Sequence, residues 1–261
     1  MKAIHFYKYQ GTGNDFVILD NRSNKWDGLT TAQIKFICDR RFGVGADGLM
    51  LLNLLNGYDF EMKYYNADGR ESSMCGNGGR CLVQFAYDLG IHKTSYHFLA
   101  IDGPHDAVFD ERGWVQLKMK DVPGIDERDG DAVLDTGSPH FVRIVNNIKQ
   151  HDVLNEGKHI RYSREYKDHG INVNFVEVED GNIYVRTYER GVENETLSCG
   201  TGVTASALVC AQNERGFNRV EVRTLGGHLA VEFDKLEDNS FEDIWLCGPA
   251  TFVFKGEIDV K

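Results

Sequence analysis

The sequence predicts an α/β protein of the α+β kind, built from two related halves, and three features carry that expectation. The first is a repeated motif: "ESSMCGNG", from Glu71 to Gly78, returns as "ETLSCGTG", from Glu195 to Gly202, 124 positions later. The second is a fainter echo ahead of each copy, "TGNDFVILD" from Thr12 and "TGSPHFVRIV" from Thr136. The third is the texture between them: short runs rich in β-branched and aromatic residues, broken by Gly, Asn and Asp at hairpin-like intervals.

In chain order the strand signals are "KAIHFYKY", "DFVILD", "YHFLAI", "WVQLKM", "NFVEVE", "IYVRTY", "RVEVRT", "HLAVEF" and "TFVFKG", with turns such as "DERGW" and "EDGNIY". After Cys75, Leu82, Phe85, Ala86 and Leu89 recur at helical spacing and Gly90 supplies a stop, so a helix begins beside that cysteine. After Cys199, "GTGVTASALVCAQN" is small or apolar on nearly every face, which describes a helix enclosed by protein. Pro, Gly and charge interrupt the strand pattern at "DVPGIDERDGD", residues 121–131. The expected halves are therefore 1–122 and 123–250, with the last strand, 251–261, returning to the first half. Two related halves pack economically about a pseudo-twofold axis, which would bring Cys75 and Cys199 to one cleft.

With 261 residues, 41% of them hydrophobic, the chain can bury a substantial core. A formal charge of −11, with no Lys/Arg-rich run, argues against nucleic acid as a partner. No window approaches the roughly 18 apolar residues of a membrane span, and "MKAIHFYKYQG" lacks the marks of a signal peptide, so a cytoplasmic protein is expected. Six cysteines in such a chain read as free thiols rather than a disulfide framework, and no Cys/His spacing fits a zinc site. Cys38, Cys81, Cys210 and Cys247 lie in apolar surroundings and read as small buried hydrophobes.

Cys75 and Cys199 read differently, because each stands at a helix start followed by glycines. Free N–H groups and the helix dipole stabilise a thiolate there, drawing its pKa from about 8.5 towards neutrality. Gly76, Gly78, Gly200 and Gly202 leave bare backbone on which a carboxylate can sit. One thiolate can then remove a proton from the Cα of a bound amino acid while the other thiol protonates the opposite face. That is racemisation or epimerisation, and it requires neither metal nor cofactor.

"GTGNDFVILD", "RRFGVGADGL", "NADGRESSMCGNGGRC", "GSPHFV", "GINVNFV", "YERGVENETLSCGTG" and "GGHLAVEF" resemble, in order, segments of the diaminopimelate epimerase family, over nearly the whole chain. The resemblance implies two similar domains, each a curved antiparallel sheet around a central helix. It also implies cofactor-independent interconversion of LL- and meso-diaminopimelate in lysine and peptidoglycan precursor synthesis, by a homodimer. Cys75 and Cys199 take the catalytic positions, and His140 and Glu189 match residues that modulate the thiol pKa values. Asn14, Asn66, Asn172, Glu189 and Arg190 match substrate contacts, and Gly76, Asn77, Gly200 and Thr201 match the helix-end carboxylate site. Ser138 stands where the family usually has a substrate-binding Asn, and Gly48 where some members carry Gln. The stretch from Arg190 to Cys199 is one residue longer than the commonest spacing.

Without the resemblance, His140, Asn14 and Asn66 would read as turn residues, and Glu189 with Arg190 as a surface ion pair. The nearest rival is a racemase of another amino acid such as proline, although that family carries His after the Gly that follows its cysteine, where this chain has Asn77. A dithiol oxidoreductase would space its thiols as C-x-x-C, which is absent. A pure binding protein would show no exchange of the α-hydrogen.

Overall fold

A computed structural model describes residues 2–237 and 239–260. The backbone divides into two compact units, Met1–Leu117 with Pro249–Lys261, and Lys118–Gly248. Each is built on one plan.

In the first unit β1 (Lys2–Gly11) and β2 (Asn14–Asp20) form a hairpin that turns through Thr12 and Gly13. Both turn residues have positive φ, the geometry that matches the right-handed twist of the strands it joins. Next come α1 (Thr31–Cys38), β3 (Gly48–Asn53), β4 (Phe60–Asn66), the short β5 (Glu71–Ser72), α2 (Gly76–Asp88), β6 (Ser95–Ala100), β7 (Gly103–Phe109) and β8 (Val115–Lys118). The chain's last strand, Thr251–Val260, pairs along β1. Most pairings are antiparallel, but β2–β3 and β4–β6 are parallel. A parallel pair needs a crossover, and α1 and α2 are those crossovers.

The second unit repeats this order with β9 (Asp126–Arg128), β10 (Asp131–Asp135), β11 (Pro139–Ile144), α3 (Val153–Arg161), β12 (Asn172–Glu179), β13 (Asn182–Glu189), β14 (Asn194–Thr196), α4 (Gly200–Val209), β15 (Gly216–Thr224), β16 (Gly227–Lys235) and β17 (Phe241–Gly248). The final strand of the chain is β18. Here too the parallel pairings fall at the helical crossovers, β11–β12 and β13–β15. The 121–131 stretch, which reads as a break, contains β9 and the start of β10, because its charged residues lie on an exposed edge strand.

The helices take opposite faces of each sheet. Val153 and Ile160 of α3 pack on Phe141, Val173, Phe175 and Tyr188. Val203, Ala205, Ala207 and Leu208 of α4 are enclosed by Leu134, Val142, Val176, Val185, Val222, Leu229, Val231 and Leu246, drawn from seven strands that curve around it. This enclosure explains why α4 has no polar face. Glycine and serine supply its close approaches: Ser206 returns its hydroxyl to the Gly202 carbonyl at 2.7 Å.

Cys38, Cys81 and Cys247 are buried and Cys210 is half-buried. Burial pushes the Cys38 thiol up to about 12 and the Cys210 thiol to about 11, and raises Cys81 as well, which fits their reading as inert packing residues.

Candidate active site

Cys75 is the N-cap of α2. Its Sγ accepts the Gly78 N–H at 3.2 Å, one of the helix's otherwise unsatisfied donors, and lies 3.8 Å from Asn14 Oδ1. The hairpin turn delivers Asn14 to that position as the first residue of β2. Asp47 fixes the orientation of the Asn14 amide, because its carboxylate takes the Nδ2 hydrogen at 2.6 Å and leaves the oxygen facing the thiol. Asp47 is bonded in turn by Arg40, which also grips Asp15, and Lys8 reaches the same Asp15 at 2.7 Å. Burial would raise the Asp15 carboxyl, but the bonds from Arg40 and Lys8 override it and leave a pKa of about 2.

Beneath the first turn of α2, Asn77 gives Nδ2–H to Asn14 Oδ1 at 3.3 Å and accepts from Arg80 Nη2 at 3.0 Å. Arg80 is fully buried. It also donates to the Gly76 carbonyl at 3.3 Å and to the Thr12 hydroxyl at 3.3 Å. Phe16 and Met50 complete the floor, each about one van der Waals contact from the place a Cβ on Gly78 would occupy. Asn66 is exposed at the end of β4, its backbone closing a turn with Arg70. Gly48 has no room for a side chain: a Cβ would stand 2.6 Å from the Tyr65 carbonyl and 2.5 Å from the Tyr64 ring.

Cys199 is the N-cap of α4 and is buried, with no side-chain capping bond; its Sγ lies 3.5 Å from the Thr201 hydroxyl. Under this helix lies a polar floor. His140 is fully buried in β11 rather than set in a turn, because Pro139 opens the strand instead of preceding it. Its Nδ1 is 3.1 Å from Asn174 Nδ2, which also donates to the Phe141 carbonyl at 3.0 Å, while Asn174 Oδ1 accepts the Thr187 hydroxyl at 2.9 Å. Burial, with Arg190's charge adding to it, lowers the imidazole pKa to about 3, so the ring is neutral at any working pH.

Asn172, Ser138 and Arg190 come together. Ser138 Oγ accepts from Asn172 Nδ2 at 3.0 Å and from Arg190 Nη2 at 3.1 Å, and Asn172 Oδ1 accepts the Arg190 backbone N–H at 2.9 Å. Arg190's other terminal nitrogen is held by the His169 carbonyl at 3.1 Å, so an exposed guanidinium is pre-aimed rather than free to swing. Glu189 takes the Thr196 hydroxyl at 2.7 Å, a different direction from Arg190.

Four residues next to these groups escape the sequence reading: Asp47, Arg80, Asn174 and Thr187. Asn174 and Thr187 carry the fairest signal, polar residues on the inward side of otherwise apolar strands. Among the described residues, no group of three His, Cys, Asp or Glu side chains is placed to hold a metal ion, and no helix is long and apolar enough to cross a membrane.

The sequence model of the family described as diaminopimelate epimerase matches residues 6–119 and 132–253. A diaminopimelate epimerase of Flavobacterium psychrophilum is 50% identical over 97% of this chain and 99% of its own length. Among solved structures, a phenazine biosynthesis protein of the PhzF family from Bacillus anthracis aligns with a TM-score of 0.77 at 16% identity, covering 99% of each chain. A hydroxyproline epimerase from Agrobacterium vitis aligns at 0.69 and 13% identity, covering 98% of this chain and 92% of its own. At such identities the structural likenesses speak for the fold alone.

Proposed function

The chain belongs to the diaminopimelate epimerase family, and on that premise we propose that it interconverts LL- and meso-diaminopimelate through two thiols, Cys75 and Cys199. The observation that carries the reading is that each thiol caps a helix opening Gly-x-Gly, once in each of two units of the same plan. One thiolate removes the α-proton, and the other thiol protonates the opposite face of Cα. The α-carboxylate rests on the backbone N–H groups of Gly76, Asn77, Gly200 and Thr201, where the charge that builds as the carbanion forms meets fixed dipoles. Such donors typically contribute about 3–4 kcal/mol each in comparable oxyanion sites.

Asn14 orients the Cys75 side, and His140 and Glu189 modulate the thiols. Asn66, Asn172, Arg190 and Ser138 read the distal amino-carboxylate centre. Ser138 and Asn172 support Arg190, so the hydroxyl in place of the family's usual Asn keeps a polar contact at that end. No pyridoxal phosphate or metal is required. The enzyme works as a homodimer in the cytoplasm; in support, β18 exposes Phe252, Val253 and Phe254 in succession, and all six cysteines are free thiols.

The deciding experiment is incubation of the pure protein with LL-diaminopimelate in deuterium oxide, with L-lysine and L-proline alongside. Deuterium should appear at Cα of diaminopimelate far faster than at that of lysine or proline. Comparable exchange into proline or lysine would replace this reading with a broader racemase. Light scattering should give a mass near twice 29.5 kDa.

A further inference from the structure

Asn174 has both ends of its amide committed. The atom 3.0 Å from the Phe141 carbonyl oxygen has to be nitrogen, since a carbonyl only accepts, and the Thr187 hydroxyl donates to the amide oxygen at 2.9 Å. The amide is fully buried and cannot turn over without setting two oxygens against each other. Its second N–H points at His140 Nδ1, 3.1 Å away, so that ring nitrogen is the acceptor. The proton of the neutral ring is then on Nε2, which is buried and meets no partner among the described residues. The ring's edge lies against the first turn of α4, with Cε1 3.4 Å from where a Cβ on Gly202 would stand, and Asn174 Oδ1 only 2.3 Å from the same point.

We infer that Asn174 and Thr187 are positioning residues for the reaction, holding His140 as a neutral imidazole with its single proton on Nε2 beneath the helix turn that carries Cys199. This rests on Cys199 being one of the two proton-transfer groups. The chemical reason is that an epimerase thiol has to work both as base and as acid, which favours a pKa near the working pH. A histidine free to accept a proton would form a thiolate–imidazolium pair, and thiols so paired fall to about 3–4 and become poor bases. A ring whose Nδ1 is already occupied by an amide donor cannot take the thiol's proton there. Arg190, at the end of β13, places a further positive charge against ring protonation, and Asn174 and Thr187 bring none.

Two-bond proton–nitrogen correlation spectra of the histidine rings in the full-length protein test this without turnover. His140 should show the Nε2–H tautomer and stay neutral between about pH 5 and 9. Asn174→Met removes the donor and should abolish that fixed signature. Asn174→Asp offers Nδ1 an acceptor and should move the proton onto it. In a Cys75→Ala background, alkylation of Cys199 in Asn174→Asp should then shift its midpoint down by about one pH unit or more. An Nδ1–H ring or a titrating ring in the wild type overturns the inference, and so does an Asn174→Met ring identical to wild type. If Asn174→Asp fails to fold, the wild-type and Asn174→Met spectra still decide. Loss of the epimerase reading would show instead as α-exchange surviving in Cys199→Ala.

Discussion

The two cysteine helices share a backbone and differ in what lies under them. Strand registers match position for position: Phe16, Met50 and Tyr64 of the first unit occupy the places of His140, Asn174 and Thr187 in the second. Five residues after each cysteine, a buried Arg80 bonds the Gly76 carbonyl where Thr204 bonds the Gly200 carbonyl at 3.0 Å. The first helix therefore has a cation within it and, at these three positions, a mainly apolar layer of Phe16, Met50 and Tyr64, the second a hydroxyl and a polar, uncharged layer. The Cys75 sulfur accepts a capping N–H, and the Cys199 sulfur makes no capping bond. Duplication preserved the part that any thiol at a helix start requires, glycines and free N–H groups. Divergence fell on the side chains one layer below, where the sulfur's environment is set.

If both thiols move protons, the difference in floors should not show in the largest effect. Cys75→Ala and Cys199→Ala are each expected to lower kcat by about 10²–10⁴-fold, the usual worth of a general acid or base, with circular dichroism unchanged. A variant keeping more than a small share of turnover would leave its helix without a catalytic role and break the comparison at its root.

The second effect belongs to one unit only. By register Arg190 corresponds to Ala67 of the first unit, so the fork proposed to read the distal carboxylate has no duplicate. Losing a charge-assisted hydrogen bond costs about 1.5–3 kcal/mol, so Arg190→Met should lower kcat/KM for diaminopimelate by roughly tenfold or more. Steady-state kinetics with diaminopimelate and lysine side by side check it. An equal loss for lysine, which lacks the distal carboxylate, would remove the specificity role.

The floors themselves separate in stability. A Cβ on Gly202 would meet Asn174 Oδ1 at 2.3 Å, whereas one on Gly78 would meet only two sulfurs and a ring carbon at 3.3–3.5 Å. Gly202→Ala should therefore cost about 1–3 kcal/mol by overpacking. Gly78→Ala should stay within about 1 kcal/mol, since alanine's helix propensity offsets the tighter contact. Urea unfolding of the pair measures the contrast, and equal losses would show that the polar floor yields as readily as the apolar one.

Much of this was legible in the sequence, and the remainder was hidden for physical reasons. The duplicated cysteine motif located both helix starts, and the Thr-Gly echo falls on both hairpin turns, because glycine and helix-cap chemistry are local. The run "GLMLLN" escaped as a strand because all six of its residues are buried, which erases the alternation that marks a half-exposed strand. Crossover helix α1 is only eight residues long, too short for a clear period, although its Thr30–Gln33 capping box was written plainly. In the site, Ser138, Asn172 and Arg190 meet only because β11 lies parallel to β12 and β13 antiparallel to it. No local pattern encodes that pairing. Asn174 and Thr187 showed only as polar residues on the inward side of apolar strands, and their meeting with His140 came with the register.

The smallest effect reads the buried ring through pH. Burial holds His140's folded pKa at about 3, below its ordinary 6.5, so between those values the unfolded chain binds a proton that the folded chain refuses. Stability attributable to the ring is complete above pH 6.5 and is lost as pH falls towards 3, with a limiting slope of about 1.4 kcal/mol per pH unit. His140→Phe puts the first unit's residue in the second unit's place and removes this titration, while Asn174 keeps its bonds to Phe141 and Thr187. Urea unfolding of wild type and variant between about pH 4 and 7 should give a shallower acid slope for the variant, whatever its absolute stability. Parallel slopes would mean that the ring is already protonated in the folded protein, and the two floors would then differ in charge as well as in polarity.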